Sequence, residues 1–437
     1  MAINKSAIFA AFYIKEDSIM AVSLETFRTL IKEGQETIEA VELYDRPFDF
    51  EQTGRYVLVG VRQSGKSYML YKRAKQLLTE GHSLEEFIYI DFDDERLIAM
   101  TAEHFDLILQ AYGSVYSHKP ILLFDEIQNI NGWEHFARRL ANQKYQVYVT
   151  GSNAKMLSRD IQTTLGGRFL EERIFPYTFA EYLGAQGITL QKEWQHGKQR
   201  QLVQQKVNQY LLWGGFPELL LYKNKRHWLN DLYEKILLGD IILRNGIKNE
   251  LALRLVMKRL AESVMQPASY NRLANLVKAT GVNTTASSVM DYLRFAADAC
   301  IVFSLSNYAS KFAERESVKK HYFVDNGLLN IFLLDNRSAL LENLCAIRLY
   351  RQYTEGLYFY HKNIEVDFYI PSEQIAVQVS YSLADTATRK RETDALRKLN
   401  AYEHLKKAVV VTYEEEETIT LDNLTIEVIP LWKWLLI

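Results

Sequence analysis

Eight residues constrain this chain more than any others. Gly60-Val-Arg-Gln-Ser-Gly65-Lys66-Ser67 fits the pattern GxxxxGK[ST]. It joins a short apolar run, Arg55–Gly60, to a stretch with helical apolar spacing that continues to about Glu80. Each residue type in the pattern has a physical task. The glycines let the backbone wrap closely around a phosphate, and the N–H groups of the loop, through Arg62, Gln63 and Ser64, point inward. The helix that opens at Ser67 and Tyr68 adds its positive end. Lys66 brings a cation to the terminal phosphates, and the Ser67 hydroxyl is a hard oxygen ligand for Mg²⁺. Arg62 sits inside the loop, and its position does not separate packing from regulation. Gly60, Arg62, Gln63, Ser64, Gly65, Lys66, Ser67 and Tyr68 are therefore the candidate nucleotide-binding residues.

The segments around this loop make the pattern specific. Phe87–Asp91, Pro120–Asp125 and Gln146–Thr150 read as further short, fully apolar strands. They alternate with helical segments such as Thr101–Tyr112. Strands that are apolar throughout and alternate with helices predict a parallel sheet covered on both faces, an α/β fold. Asp125 ends one strand where Mg²⁺ coordination needs a carboxylate, and Glu126 follows as the group that can polarise a water. Thr150-Gly-Ser-Asn153 ends the next strand. Asn153, then Ser152, is the residue expected to orient that water. Arg168 follows two glycines and can reach a phosphate in its own subunit or a neighbour's, with Arg173 as its rival.

After Pro176 the pattern becomes helical: Phe179–Leu183, Lys192–Leu212 and Asn230–Asn245. Three short helical segments and a strand-like run, Ile301–Leu305, then follow in the order of a winged helix. Its candidate reading helix, Thr285–Arg294, carries one base and one acid, and its wing is placed at Lys311–Lys320. From Glu342 the chain returns to α/β, with strands near Leu357, Glu365–Ile370, Ile375–Ser380 and Ala408–Thr412 around a charged helix, Thr388–His404.

Together these residues identify a family. The loop, Phe-Asp125-Glu126, Thr150-Gly-Ser-Asn and Gly-Gly-Arg168 before Pro176-Tyr-Thr-Phe-Ala-Glu181-Tyr-Leu resemble prokaryotic AAA-type P-loop ATPases. So do Trp213-Gly-Gly-Phe-Pro217-Glu218, Gly239-Asp240-Ile and Tyr322-Phe-Val-Asp325-Asn-Gly-Leu328. In that family a domain of unknown function follows the ATPase. The resemblance implies a P-loop NTPase core over 1–178, a helical lid or linker over 179–248, a winged-helix region over 249–330, and a restriction-endonuclease-like α/β module over 331–437. It implies ATP and Mg²⁺ as cofactors, with Glu126, Asn153 and Arg168 catalytic and Ser67 and Asp125 holding the metal. The terminal module departs from the PD-(D/E)XK nuclease pattern. Glu342, Asp367, Gln378 and Ser380 fall at the expected places, but Gln378 is neutral and Ser380 brings no cation. The expectation is a retained fold that has lost cleavage. Glu365 shares a strand face with Asp367 and is the residue placed to lend it a carboxylate.

Composition closes off other classes. A net charge of −2 over 437 residues excludes a globally basic nucleic-acid binder but not a local basic patch, such as Arg389-Lys390-Arg391 with Arg397 and Lys398. Two cysteines, Cys300 and Cys345, cannot build a disulfide framework, which fits a reducing compartment and points to the cytoplasm. No apolar run approaches the ~18 residues of a membrane span. The short apolar stretch Ala7–Ile14 reads as a buried local element rather than a signal. DNA, a protein partner and a second copy of the chain all remain open as partners. Hydrolysis, a nucleotide-gated binding switch and an ATP-dependent nuclease remain as readings.

Overall fold

The computed structural model describes residues 22–44 and 46–437, so Ala7–Ile14 lies outside the described residues. The chain divides into two compact units. One holds the chain up to Gly60 and Gly65–Ile174; the other holds Val61–Ser64 and Phe175–Ile437.

The first unit is built on β1 (Tyr56–Val59), β2 (Phe87–Asp91), β3 (Ile121–Asp125), β4 (Gln146–Gly151) and β5 (Leu170–Arg173). Their order is β2-β3-β4-β1-β5, and every pairing is parallel. Its α-helices among the described residues are α1 (Leu24–Ala40), α2 (Lys66–Thr79), α3 (Phe105–Gly113), α4 (Trp133–Asn142) and α5 (Arg159–Leu165). Strands β1 and β3 are buried along their whole length, because helices cover both faces and no position is left for a polar residue until the strand ends. Helix α1 starts where the Ser23 hydroxyl accepts from Thr26 N–H, and it buries Phe27, Leu30 and Ile31 on one face. Parallel pairing delivers all strand C-termini to one edge. There Asp91 lies beside Asp125, and Gly60 N–H donates to Gly151 O at 3.2 Å.

The second unit begins with α6 (Phe179–Gly184), α7 (Lys198–Trp213), α8 (Lys225–Lys235) and a π-helical stretch, Ile236–Leu243. Next come α9 (Glu250–Glu262), β6 (Ala268–Ser269), α10 (Tyr270–Lys278), α11 (Ala286–Asp298), β7 (Val302–Ser306), α12 (Phe312–Ser317) and β8 (Val318–Phe323). Strands β6, β8 and β7 form a small antiparallel sheet. After α13 (Asn326–Asn330) and α14 (Arg337–Tyr353) comes a six-stranded mixed sheet in the order β13-β14-β12-β11-β10-β9. Its strands are β9 (Tyr358–His361), β10 (Glu365–Ile370), β11 (Ile375–Val379), β12 (Lys407–Thr412), β13 (Glu417–Leu421) and β14 (Leu424–Pro430). Helix α15 (Thr386–Glu403) lies between β11 and β12, and α16 (Leu431–Trp434) ends the fold.

One buried polar latch explains two of the sequence segments. Helix α7 ends with carbonyls that have no partner inside the helix. Asn326 Nδ2 donates to Leu211 O at 2.9 Å and Asn330 Nδ2 to Leu212 O at 2.8 Å. Asp325 accepts from Gly215 N–H and from Gly327 N–H, each at 2.7 Å. Burial raises the Asp325 carboxyl to about 6, although these N–H groups pull the other way. At Gly214 φ is +73°, and a Cβ there would stand 1.9 Å from Asp325 Oδ1. Both the conformation and the space therefore require glycine. Gly214→Ala is expected to cost about 3 kcal/mol of stability. Gly246→Ala, also at positive φ but with open space around it, is expected to cost about 1 kcal/mol. Denaturant unfolding followed by tryptophan fluorescence compares the two.

Candidate nucleotide site

The left-handed conformation of Gly65, φ +96°, turns the chain out of the loop and into α2, whose first residue is Lys66. Lys66 is nearly fully buried and forms an ion pair with Glu126 Oε1 at 3.0 Å. One residue on, the Ser67 hydroxyl hydrogen-bonds to the Asp125 carboxylate.

Asp125 ends β3 at 2% exposure. Its Oδ2 accepts from Tyr89 OH at 2.9 Å, and its Oδ1 accepts from the Thr150 hydroxyl. Burial raises its pKa, and the neighbouring Glu126 adds to the rise; Ser67, Thr150 and Lys66 oppose it. Glu126 has φ +50°, a left-handed conformation that breaks the strand. Its N–H donates to Thr150 Oγ1 at 3.0 Å, so one threonine ties both acids to the end of β4. Glu126 Oε2 accepts from Ser152 N–H at 3.1 Å and from Gln128 Nε2 at 2.6 Å.

The remaining candidates are placed as follows. Asn153 is nearly buried, and its Oδ1 accepts from Lys155 N–H at 3.0 Å, capping the next turn. Arg168 is exposed, and its Nη1 donates to Gly166 O at 3.0 Å. Arg173 lies on β5. Tyr68 is half exposed and meets Tyr71 edge to face. Gln63 has φ +61°, and Ser64 is fully buried. The loop apex, Val61–Ser64, groups with the second unit, where Arg62 grips Asp240 through Nε at 2.6 Å and Nη2 at 3.1 Å. Arg244 reaches the same carboxylate at 3.0 Å.

Sequence reasoning missed Asp91, Tyr89 and Gln128. Asp91 ends β2 in register with Asp125, and burial raises it to about 7 with the nearby carboxylates adding to the rise. The strand-end position was its available signal. Gln128 belongs to no recognised pattern.

These residues suit a hard divalent cation. A serine hydroxyl and a buried carboxylate are hydrogen-bonded to each other beside a helix N-terminus. Among the described residues no group of three or more His, Cys, Asp and Glu side chains could hold a metal ion. A cation here would share its coordination with phosphate oxygens and water.

In the second unit a cleft of about 880 Å³ is lined by Glu342, Glu365, Asp367, Gln378 and Glu392. Lys320, placed by its sequence in the wing among residues considered for DNA contact, lies on β8 and is fully buried. Its Nζ lies 3.3 Å from Glu342, 3.3 Å from Glu365 and 3.0 Å from Asp367. Burial works to lower its pKa, but the three carboxylates overcome this and hold it charged. Glu342 rises to about 7 through burial, which Lys320 opposes. Gln378 Oε1 accepts from Asp367 N–H at 2.7 Å, while its Nε2 donates to Glu392 at 2.7 Å. The Ser380 hydroxyl donates to Ser382 O at 3.0 Å.

The family profile of an AAA domain matches residues 52–183, and that of a domain of unknown function (DUF8612) matches residues 204–339. An uncharacterized protein of Methanocaldococcus jannaschii is 32% identical over 400 residues, spanning 86% of this chain and 87% of its own length. An uncharacterized protein of Haemophilus influenzae is 29% identical over 390 residues, 87% of this chain and 94% of its own. Among solved structures, the Walker-type ATPase PABY2304 of Pyrococcus abyssi aligns over 70% of this chain and 95% of its own, with 15% identity and a TM-score of 0.39. The chain belongs to the AAA-type P-loop ATPase family in which the AAA domain is followed by a domain of unknown function.

Proposed function

We propose that this chain binds ATP with Mg²⁺ and hydrolyses it. The observation that carries the reading is the meeting of Lys66, Ser67, Asp125 and Glu126 at one edge of a parallel sheet. When triphosphate enters, Lys66 exchanges its partner Glu126 for the terminal phosphates, which leaves Glu126 Oε1 open to water. Glu126 takes a proton from that water as its oxygen bonds to the γ-phosphorus. The bond to the bridging oxygen breaks, and its electron pair leaves on ADP. Ser67 and Asp125 would hold the Mg²⁺, which would supply positive charge to the phosphate oxygens. Asn153 senses the γ-phosphate, and Arg168, from the same or a neighbouring chain, offsets its developing charge.

The C-terminal region reads out the nucleotide state. The order of α9, α10, α11 and the β7–β8 hairpin supports a winged-helix reading of 249–330. Its bases are largely engaged within the chain. Arg294 pairs with Asp291, Lys319 with Glu316, and Arg315 donates to Tyr308 O and Ser310 O. On α15, Arg389, Arg391 and Arg397 likewise pair with Glu417, Glu392 and Asp394. Phosphate-backbone binding needs cations free to displace counterions. A protein partner therefore suits these surfaces better than DNA. For the terminal module we propose binding rather than cleavage. Lys320 stands among carboxylates that would otherwise attract a divalent cation, and Gln378 supplies an amide in place of a further charge.

Lys66→Ala is expected to lose nucleotide affinity by at least about tenfold, read by titration with a fluorescent ATP analogue. Glu126→Gln is expected to keep that affinity while turnover falls by ~10²–10⁴; unchanged phosphate release would favour a binding switch over an ATPase. Duplex DNA is expected to change turnover by less than about twofold, whereas a salt-sensitive stimulation would restore DNA as partner. No Mn²⁺-dependent nicking of plasmid DNA is expected; nicking that Asp367→Ala abolishes would overturn the binding-only reading.

A further inference from the structure

Gln128 has no place in the phosphate loop or among the acids, yet it makes a 2.6 Å hydrogen bond to Glu126 at the site. The left-handed backbone at Glu126 turns the chain into the short turn Ile127–Asn129 and brings Gln128 back over the carboxylate. Its Nε2 donates to Glu126 Oε2, and the Ser152 hydroxyl lies 3.4 Å from the same nitrogen. Rotating the amide by half a turn would set its oxygen against the carboxylate, so the charge on Glu126 fixes its orientation. The other end, Gln128 Oε1, is buried and has no hydrogen-bond partner among the described residues. A buried orphan acceptor is costly, so an apolar filler would serve the packing better. Room for the amide comes from β4, where a Cβ at Gly151 would stand 2.3 Å from Gln128 Oε1.

We infer that Gln128 is a positioning residue for Glu126. It anchors Oε2, together with Ser152 N–H, so that Oε1 is the oxygen uncovered when Lys66 moves to phosphate. The two oxygens of Glu126 thus have separate duties: Oε2 fixes the rotamer, and Oε1 receives the proton. The inference rests on the hydrolysis reading above and goes beyond it by assigning how the base is aimed. It also gives Gly151 a reason within the Thr150-Gly-Ser-Asn153 segment, since any side chain there would push the amide off the carboxylate.

Steady-state ATP turnover and nucleotide affinity are measured for Gln128→Met, which keeps length and volume but removes the donor. Its kcat is expected to fall by about 10–100-fold, with KM and nucleotide affinity within about twofold of the unaltered protein. Gly151→Ala, whose new methyl meets flexible side-chain ends at Gln128 and Met156, is expected to reproduce the same split. In a Glu126→Gln background, Gln128→Met is expected to cost nothing further, because the group it positions is gone. If Gln128→Met keeps its kcat, or loses affinity in proportion to turnover, the inference falls while the hydrolysis reading stands. If the unaltered protein binds nucleotide without turning it over, both fall.

Discussion

Removing a carboxylate from water is the expense around which this protein is arranged. An isolated buried charge is costly enough that it must be paired, hydrogen-bonded or neutralised. Three buried acids are accommodated in three ways. Asp125 is held by hydroxyls from Ser67, Thr150 and Tyr89. Asp325 is held by backbone N–H groups that exist only because glycines let the chain come close. Glu342 is held by Lys320 and the Tyr322 hydroxyl. The first arrangement leaves an acid whose partners are neutral, so it can still answer to an arriving cation. The second forms a structural latch. The third closes its own charge.

That contrast separates the two acidic centres. At the strand ends of the first unit, Lys66 pairs with Glu126 alone among the acids named here, and in the hydrolysis proposed above an arriving phosphate takes that lysine over. In the second unit, Lys320 belongs to the middle of a paired strand and touches three acids at once. Displacing its ammonium would leave three carboxylates without their shared cation. In the proposed function the first lysine is exchangeable, whereas the second is enclosed by its acids.

Much of the first unit was legible because its physics is local. Strands β1 to β4 announce themselves by unbroken apolar runs, and the glycine loop by its spacing. What stayed hidden depends on distant partners. Strand β5, Leu-Glu-Glu-Arg, shows no apolar run, because it pairs on one side only and keeps its charges. Strand β13 is hard to read for a similar reason, since it is an edge strand without a fully buried position. Lys320 looked like a wing residue because sequence cannot show that β8 turns it toward three acids. Arg62 could not be assigned without knowing that Asp240, 178 residues away, would meet it. Gln128 escaped notice because glutamine beside an acidic pair has no distinctive spacing.

The charges that concealed β5 have another consequence. It is an edge strand of the parallel sheet, and an apolar edge would offer unpaired backbone groups to any other chain. Glu171, Glu172 and Arg173 make that side a poor template for strand addition. The opposite edge, β2, is apolar and is guarded differently: α1 lies so close that a Cβ at Gly34 would stand 2.5 Å from Tyr89 O, and Gln35 Nε2 caps Phe87 O at 3.2 Å. One border is defended by charge and the other by a roof. A substitution that neutralises β5 or lifts α1 would therefore appear first as self-association and loss of solubility, before any change in chemistry at the strand ends.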